Sequence, residues 1–187
     1  MLAMGRSRER LLRMSLSWRC RDFRQVLVLS DEVLSYVRAH RQLEHRANEA
    51  GGQLFGVVSP QEVLITVATG PYAGDTRSRF SYRSSPQAAN AAIETQEGGG
   101  LSYLGEWHTH AEGRPTPSSY DKATMSAISK KSTLRAGAAM MLIVGQSDAP
   151  DGLYVGTFEK GRFRRWLAES GGKTSDGLMH RLWEIFR

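Results

Sequence analysis

Residues 105–121 read GEWHTHAEGRPTPSSYD. On an extended strand alternate side chains share a face, so His108 and His110 present two imidazoles on one side, and Trp107, just before them, points to the other, into the core. Pro115 and Pro117 restrain the loop that follows, and Ser118 opens a helix running to about residue 132, for which Ser118 and Ser119 are both candidate N-caps that periodicity alone does not rank. Asp121 falls one helical turn after Ser118 on the same face, where its carboxylate can reach back over the strand end. Two imidazoles and one carboxylate leave the fourth position of a tetrahedral ion for water, which is the open arrangement of catalytic zinc. The stretch therefore predicts a strand, a loop and a helix with a metal site between them.

Working outward, QVLVL at 25–29 is an apolar run of buried-strand type, and Ser30 and Asp31 follow as N-caps. The helix they open carries Val33, Leu34, Val37 and Leu43 as an apolar stripe. EAGGQLFGVV and EVLITVATG flank a Ser-Pro turn and predict a hairpin, with RSRFSYR at 77–83 as a third strand. Pro86 opens an Ala-rich helix that extends to Glu97 and stops at Gly98, Gly99 and Gly100. That glycine run lacks the Lys-Ser/Thr of a phosphate loop. AAMMLIVG at 138–145 predicts a central strand, and Tyr154 to Phe163 one or two edge strands. Near the end of the sequence, Leu178, Leu182, Ile185 and Phe186 have helical spacing behind a joint at Gly171, Gly172 and Lys173.

The expected layout is a basic N-terminal extension over 1–23, a catalytic α/β domain over 24–167, and a joint with an amphipathic helix over 168–187. The length of 187 residues suits one such domain. Cys20 is the only cysteine, which excludes an intrachain disulfide and a structural zinc site of Cys type, and fits a reducing cytoplasm. It also excludes the Pro-Cys-x-x-Cys set of a zinc deaminase, and no histidine-asparagine pair marks Cys20 as a thiol nucleophile. The first twenty residues lack the unbroken apolar core of a secretory signal, and no stretch is long and apolar enough for a membrane span, so no membrane partner is expected. The net charge of +6 comes largely from arginines at 6–24 and 162–165. No aromatic-basic interleaving accompanies it, so it reads as a solvated face and not as a nucleic-acid site.

A metal-activated water still needs a base, and two carboxylates are candidates: Glu49 before the GGQLFG strand, and Glu106, which shares strand parity with both histidines. Glu49 followed by Gly52 and Gly56, then His108-x-His110, seven residues before Ser118 and two more before Asp121, resembles the JAMM motif of the MPN+ family. The resemblance covers roughly residues 24 to 160. The phrases AGGQLFG, RSRFSYR, LGEWHTHAEGRPTPSSYD and LIVG are most similar to a bacterial JAB-type branch encoded beside ubiquitin-transfer-like enzymes, some in anti-phage CBASS operons.

The resemblance implies an MPN, cytidine-deaminase-like fold: a three-layer α/β sandwich with a curved, mixed, mostly antiparallel sheet flanked by helices and zinc at the sheet rim. It implies zinc ligation by His108, His110 and Asp121, water activation by Glu49 in preference to Glu106, and oxyanion support from the Ser118 hydroxyl. The implied activity is that of an isopeptidase. Its partners would be a ubiquitin-like protein, or the C-terminal tail of a conjugated cGAS/DncV-like nucleotidyltransferase, together with the target proteins. A binding module that grips such a tail without turnover, and a deubiquitinase-like enzyme of a related operon, are the alternatives. Ala111 stands where the family usually has proline, which touches loop stiffness and not ligand identity.

Overall fold

The computed structural model describes residues 15–131, 134 and 136–169; the C-terminal helix and glycine joint expected from sequence lie outside them. In chain order the elements are β1 (Leu16–Arg19), β2 (Val26–Leu29), α1 (Asp31–Arg38), β3 (Gly51–Val58), β4 (Glu62–Ala68), β5 (Thr76–Ser78) and β6 (Ser81–Arg83). They continue with α2 (Pro86–Gly98), β7 (Ser102–Thr109), α3 (Ser119–Lys131), β8 (Ala139–Val144), β9 (Leu153–Glu159) and β10 (Arg162–Ala168).

The sheet is mixed and mostly antiparallel, with parallel pairing only at β2–β4 and β7–β8. The expected curved, mixed sheet goes further than a sandwich layer and closes into a barrel in the order β1-β10-β9-β8-β7-β3-β4-β2. The closing strand is β1, in a segment read from sequence as an extension outside the domain. It pairs with β2 on one side and β10 on the other, and Trp18 is buried at 1% exposure. Four residues alternating Leu-Ser-Trp-Arg inside a basic segment carry too little pattern to be read as a strand; the ladder comes from neighbours far along the chain. Closure also corrects the reading of residues 154–163 as edge strands, because β9 lies between β8 and β10, and β10 between β9 and β1. With no free edge, these strands leave no row of unpaired backbone groups.

Inward-facing Leu27, Leu29, Leu54, Ile65, Leu104, Trp107 and Leu142 form one core cluster with Trp18 and Trp166. Helix α1 begins where Ser30 Oγ accepts the Val33 N–H at 3.4 Å, and it packs Val33, Leu34 and Val37 into the same cluster. Leu43, expected on that stripe, lies beyond the helix end and is exposed. On the opposite face of the sheet, Met125 and Ile128 of α3 meet Met141 and Ile143 of β8. Covered on both sides, β8 is apolar throughout and fully buried. Each such Leu, Ile or Met contributes about 1.5–3 kcal/mol of burial free energy.

RSRFSYR is not one strand. It is the β5–β6 hairpin, turning at Arg79 and Phe80 and forming its own two-stranded sheet. Strand β7 carries a bulge, where Leu54 pairs with Gly105 and Phe55 with Tyr103, leaving Leu104 unmatched. Leu104 and Trp107 both reach the inner core although three residues apart. Gly105 makes this possible: its φ is 148°, and a Cβ there would sit 2.0 Å from the Met140 carbonyl oxygen. The bulge leaves Glu106, His108 and His110 on the face opposite Trp107, the one covered by α3. No helix among the described residues is long and apolar enough to cross a membrane.

Candidate metal centre

His108 and His110 stand at the end of β7, two apart, and α3 brings Asp121 over them. The Nε2 atoms of the two histidines are 3.1 Å apart, and Asp121 places Oδ1 at 3.4 Å from His108 Nε2 and Oδ2 at 3.5 Å from His110 Nε2. Donors bound at about 2.0–2.1 Å to one tetrahedral ion lie roughly 3.3 Å from each other, a spacing close to that of the two Nε2 atoms and of each Nε2 to its nearer Asp121 oxygen, and in this group one ligand atom from each residue lies within 4.8 Å of the others. Among the described residues it is the only group of three His, Cys, Asp or Glu side chains whose ligand atoms come so close.

The carboxylate is aimed by its own helix start. Ser118 N–H donates to Asp121 Oδ2 at 2.6 Å, and Asp121 N–H donates to Ser118 Oγ at 3.1 Å, a reciprocal cap that selects Ser118 over Ser119. Ser118 Oγ uses a lone pair in that bond. The same side chain also hydrogen-bonds the Asp121 carboxylate and helps keep it ionised.

Burial works to raise the Asp121 carboxyl, but hydrogen bonds from His108 and His110 prevail and hold it well below the usual carboxylate range. For His110 burial favours the neutral ring, yet Asp121, Glu49 and Glu112 outweigh it and raise its proton affinity. Glu49 is 6% exposed, and burial pushes its carboxyl up to about 7, with His110 opposing and Asp121 and Glu112 adding to the rise. That is the range of a general base at neutral pH.

Glu49 precedes β3, and both of its peptide groups are held by the hairpin: its N–H donates to Ser78 O at 2.7 Å, and Arg77 Nε donates to its carbonyl at 2.5 Å. Glycine is needed three residues on, since a Cβ on Gly52 would lie 1.7 Å from the Thr69 carbonyl oxygen. The sequence reading missed Arg77 and Ser78, which it placed in an ordinary strand; no local pattern ties them to Glu49.

Glu106 lines the same cleft of about 560 Å³ as Glu49, Ser118 and the metal-facing residues. Burial lifts its carboxyl to about 7 as well, against a hydrogen bond from Gln53. The two differ in what they feel. Glu49 interacts electrostatically with His110 and Asp121, whereas Glu106 acts on Tyr72, Tyr82 and Tyr103. The Ala111 loop is tied down by other means than proline: Gln146 N–H donates to Glu112 O at 2.7 Å and Ser147 N–H to Gly113 O at 3.1 Å.

Residues 30–165 match the family described as prokaryotic homologs of the JAB domain. The chain belongs to the prokaryotic JAB family. This JAB protein is 38% identical over 118 residues to a Pseudomonas aeruginosa protein named CD-NTase/cGAS isopeptidase, covering 62% of the chain and 75% of that relative. Proteins of the same name from Escherichia coli and Vibrio cholerae are 33% and 32% identical, the alignments covering 68% and 66% of the JAB chain and 81% and 78% of the relatives. In fold it is similar to the solution structure of a Desulfitobacterium hafniense protein, with a TM-score of 0.56 at 18% identity over 73% of this chain and 87% of the other.

Proposed function

We propose that this JAB protein is a zinc-dependent isopeptidase that cleaves the amide bond after the C-terminus of a conjugated CD-NTase/cGAS-like nucleotidyltransferase, reversing conjugation in a bacterial anti-phage system. The observation that carries the reading is the convergence of His108, His110 and Asp121, with one ligand atom from each within 4.8 Å of the others, beside the buried Glu49 carboxyl poised near neutrality. The names of the relatives supply the substrate class.

His108, His110 and Asp121 would hold the ion, which when bound supplies Lewis acidity and lowers the pKa of a coordinated water toward about 7. Glu49 takes the proton from the attacking water and delivers it to the departing lysine amine. Its buried position keeps the proton affinity high enough to accept it and low enough to release it. Ser118, which lines the cleft beside Asp121, turns its hydroxyl to donate to the oxygen that gains charge as the carbonyl is attacked. The hairpin and α3 both line the cleft, through Phe80 and Tyr82 of the one and Tyr120 of the other, and would take an extended tail.

The test is elemental analysis of wild type beside Asp121→Ala, with cleavage of a model protein carrying a C-terminally conjugated nucleotidyltransferase tail. About one zinc per chain, lost in Asp121→Ala, and chelator-sensitive cleavage are expected. Zinc binding without cleavage of that conjugate would redirect the reading to a tail-binding module or a ubiquitin-like modifier, and absence of zinc would end it.

A further inference from the structure

Two fully buried polar side chains, Gln42 and Thr109, have no part in the mechanism above. Thr109 lies between the two histidines and points away from the cleft. Its Oγ1 accepts the Ala50 N–H at 2.9 Å and donates to Gln42 Oε1 at 3.2 Å, while its own N–H donates to Ala50 O at 2.8 Å. Gln42 Nε2 donates to Ala47 O at 3.0 Å and to Arg79 O, in the hairpin turn, at 2.9 Å.

These bonds join those from Ser78 and Arg77 into a closed circuit. It runs from the Gln42 carboxamide to the hairpin at Arg79, along the chain to Ser78 and Arg77, across to the Glu49 peptide groups, through Ala50 to Thr109, and back to Gln42. Every buried polar atom of Gln42 and Thr109 side chains in the circuit is paired, and a satisfied buried network of this kind fixes one arrangement. Only Glu49 among its members faces the metal triangle.

We propose that Gln42 and Thr109 are positioning residues for Glu49, which set the base relative to the metal ligands and tie it to the hairpin that walls the substrate cleft. The inference rests on Glu49 acting as the base of a zinc isopeptidase. A displacement of the order of 1 Å at a reacting group costs about 100-fold in rate, which gives the circuit a kinetic signature.

The variants are Thr109→Val, which keeps shape and loses the hydroxyl, Thr109→Ser, which keeps the hydroxyl, and Gln42→Met, which loses the carboxamide. Arg77→Ala removes one of the two bonds between the hairpin and the Glu49 peptide groups, leaving the Glu49 N–H on the Ser78 carbonyl, and, being an exposed site, stays interpretable if the buried variants do not fold. Thr109→Val, Gln42→Met and Arg77→Ala are expected to lower kcat by about 10- to 100-fold with KM within about twofold and zinc content at the wild-type level. Thr109→Ser is expected to recover most of the loss. In zinc-free protein, amide exchange at Ala50 should speed up by about tenfold or more in Thr109→Val, with β8 amides such as Leu142 unchanged.

Wild-type kcat in Arg77→Ala and in every folded buried variant would overturn the inference, as would a serine variant no better than valine. So would loss of zinc in step with activity, because the circuit would then serve the ligands and not the base. Failure of the underlying reading shows differently: wild type would not cleave, or Glu49→Gln would remain active.

Discussion

Glu49→Gln should make the zinc-free protein more stable at neutral and alkaline pH while abolishing turnover. The carboxyl titrates at an ordinary 4.5 when the chain is unfolded and at about 7 in the fold, chiefly because burial penalises its charge. Below pH 4.5 it is protonated in both states and contributes nothing. Between 4.5 and 7 the folded state keeps a proton the unfolded state has lost, so a destabilising contribution grows with pH, and above 7 it is complete. At about 1.4 kcal/mol for each tenfold change in proton affinity the full effect is on the order of 3 kcal/mol. Glutamine is neutral and of nearly the same shape, so it relieves that cost. For a protein of this size the gain corresponds to roughly 6–12 °C in Tm. The assay is urea and thermal unfolding of both proteins in chelator at pH 4.5, 6 and 8. The difference should be near zero at pH 4.5 and reach its plateau by pH 8. Zinc should shrink it, because a cation beside Glu49 favours the charged form. A pH-independent difference, or a variant less stable than wild type at pH 8, would refute the argument that a buried, poised carboxylate is maintained there at the expense of stability.

Ser118→Ala removes both the cap and the hydroxyl facing the cleft: stability should fall by about 1 kcal/mol and kcat by about 10²- to 10³-fold with zinc retained, and a stability loss with unchanged kcat would leave Ser118 only its capping role. Zinc at 100 times its dissociation constant should stabilise wild type by about 2.7 kcal/mol in denaturant titrations, and Asp121→Ala should show no such shift. Trp18→Ala should cost about 3–5 kcal/mol in equilibrium unfolding, since the ring is buried in the core at 1% exposure; a loss under 1 kcal/mol would mean that β1 does not close the barrel.

The comparison of sequence with structure divides along chain distance. His108, His110, Ser118 and Asp121 lie within fourteen residues, and strand alternation, N-cap chemistry and one helical turn are enough to bring them together. The core strand at 139–144 was equally legible, because a strand covered on both faces is apolar at every position. Glu49 could be named only by resemblance, being nearly sixty residues from the histidines; its charge environment comes from β3 lying against β7.

Closure of the barrel, the separate hairpin and the Gln42–Thr109 circuit were set by tertiary structure alone. Leu16–Arg19 has no strand signal of its own and becomes one because β2 and β10 offer two open edges and a space that Trp18 fills. Gln42 and Arg77 look like surface polar residues in sequence, and only burial, or a carbonyl brought within reach, gives their donors a task. Local periodicity determined which residues could share a face and so which could bind an ion. Which carboxylate interacts with His110 and Asp121, Glu49 and not Glu106, was decided by long-range pairing, because what a carboxylate feels depends on what the fold packs around it.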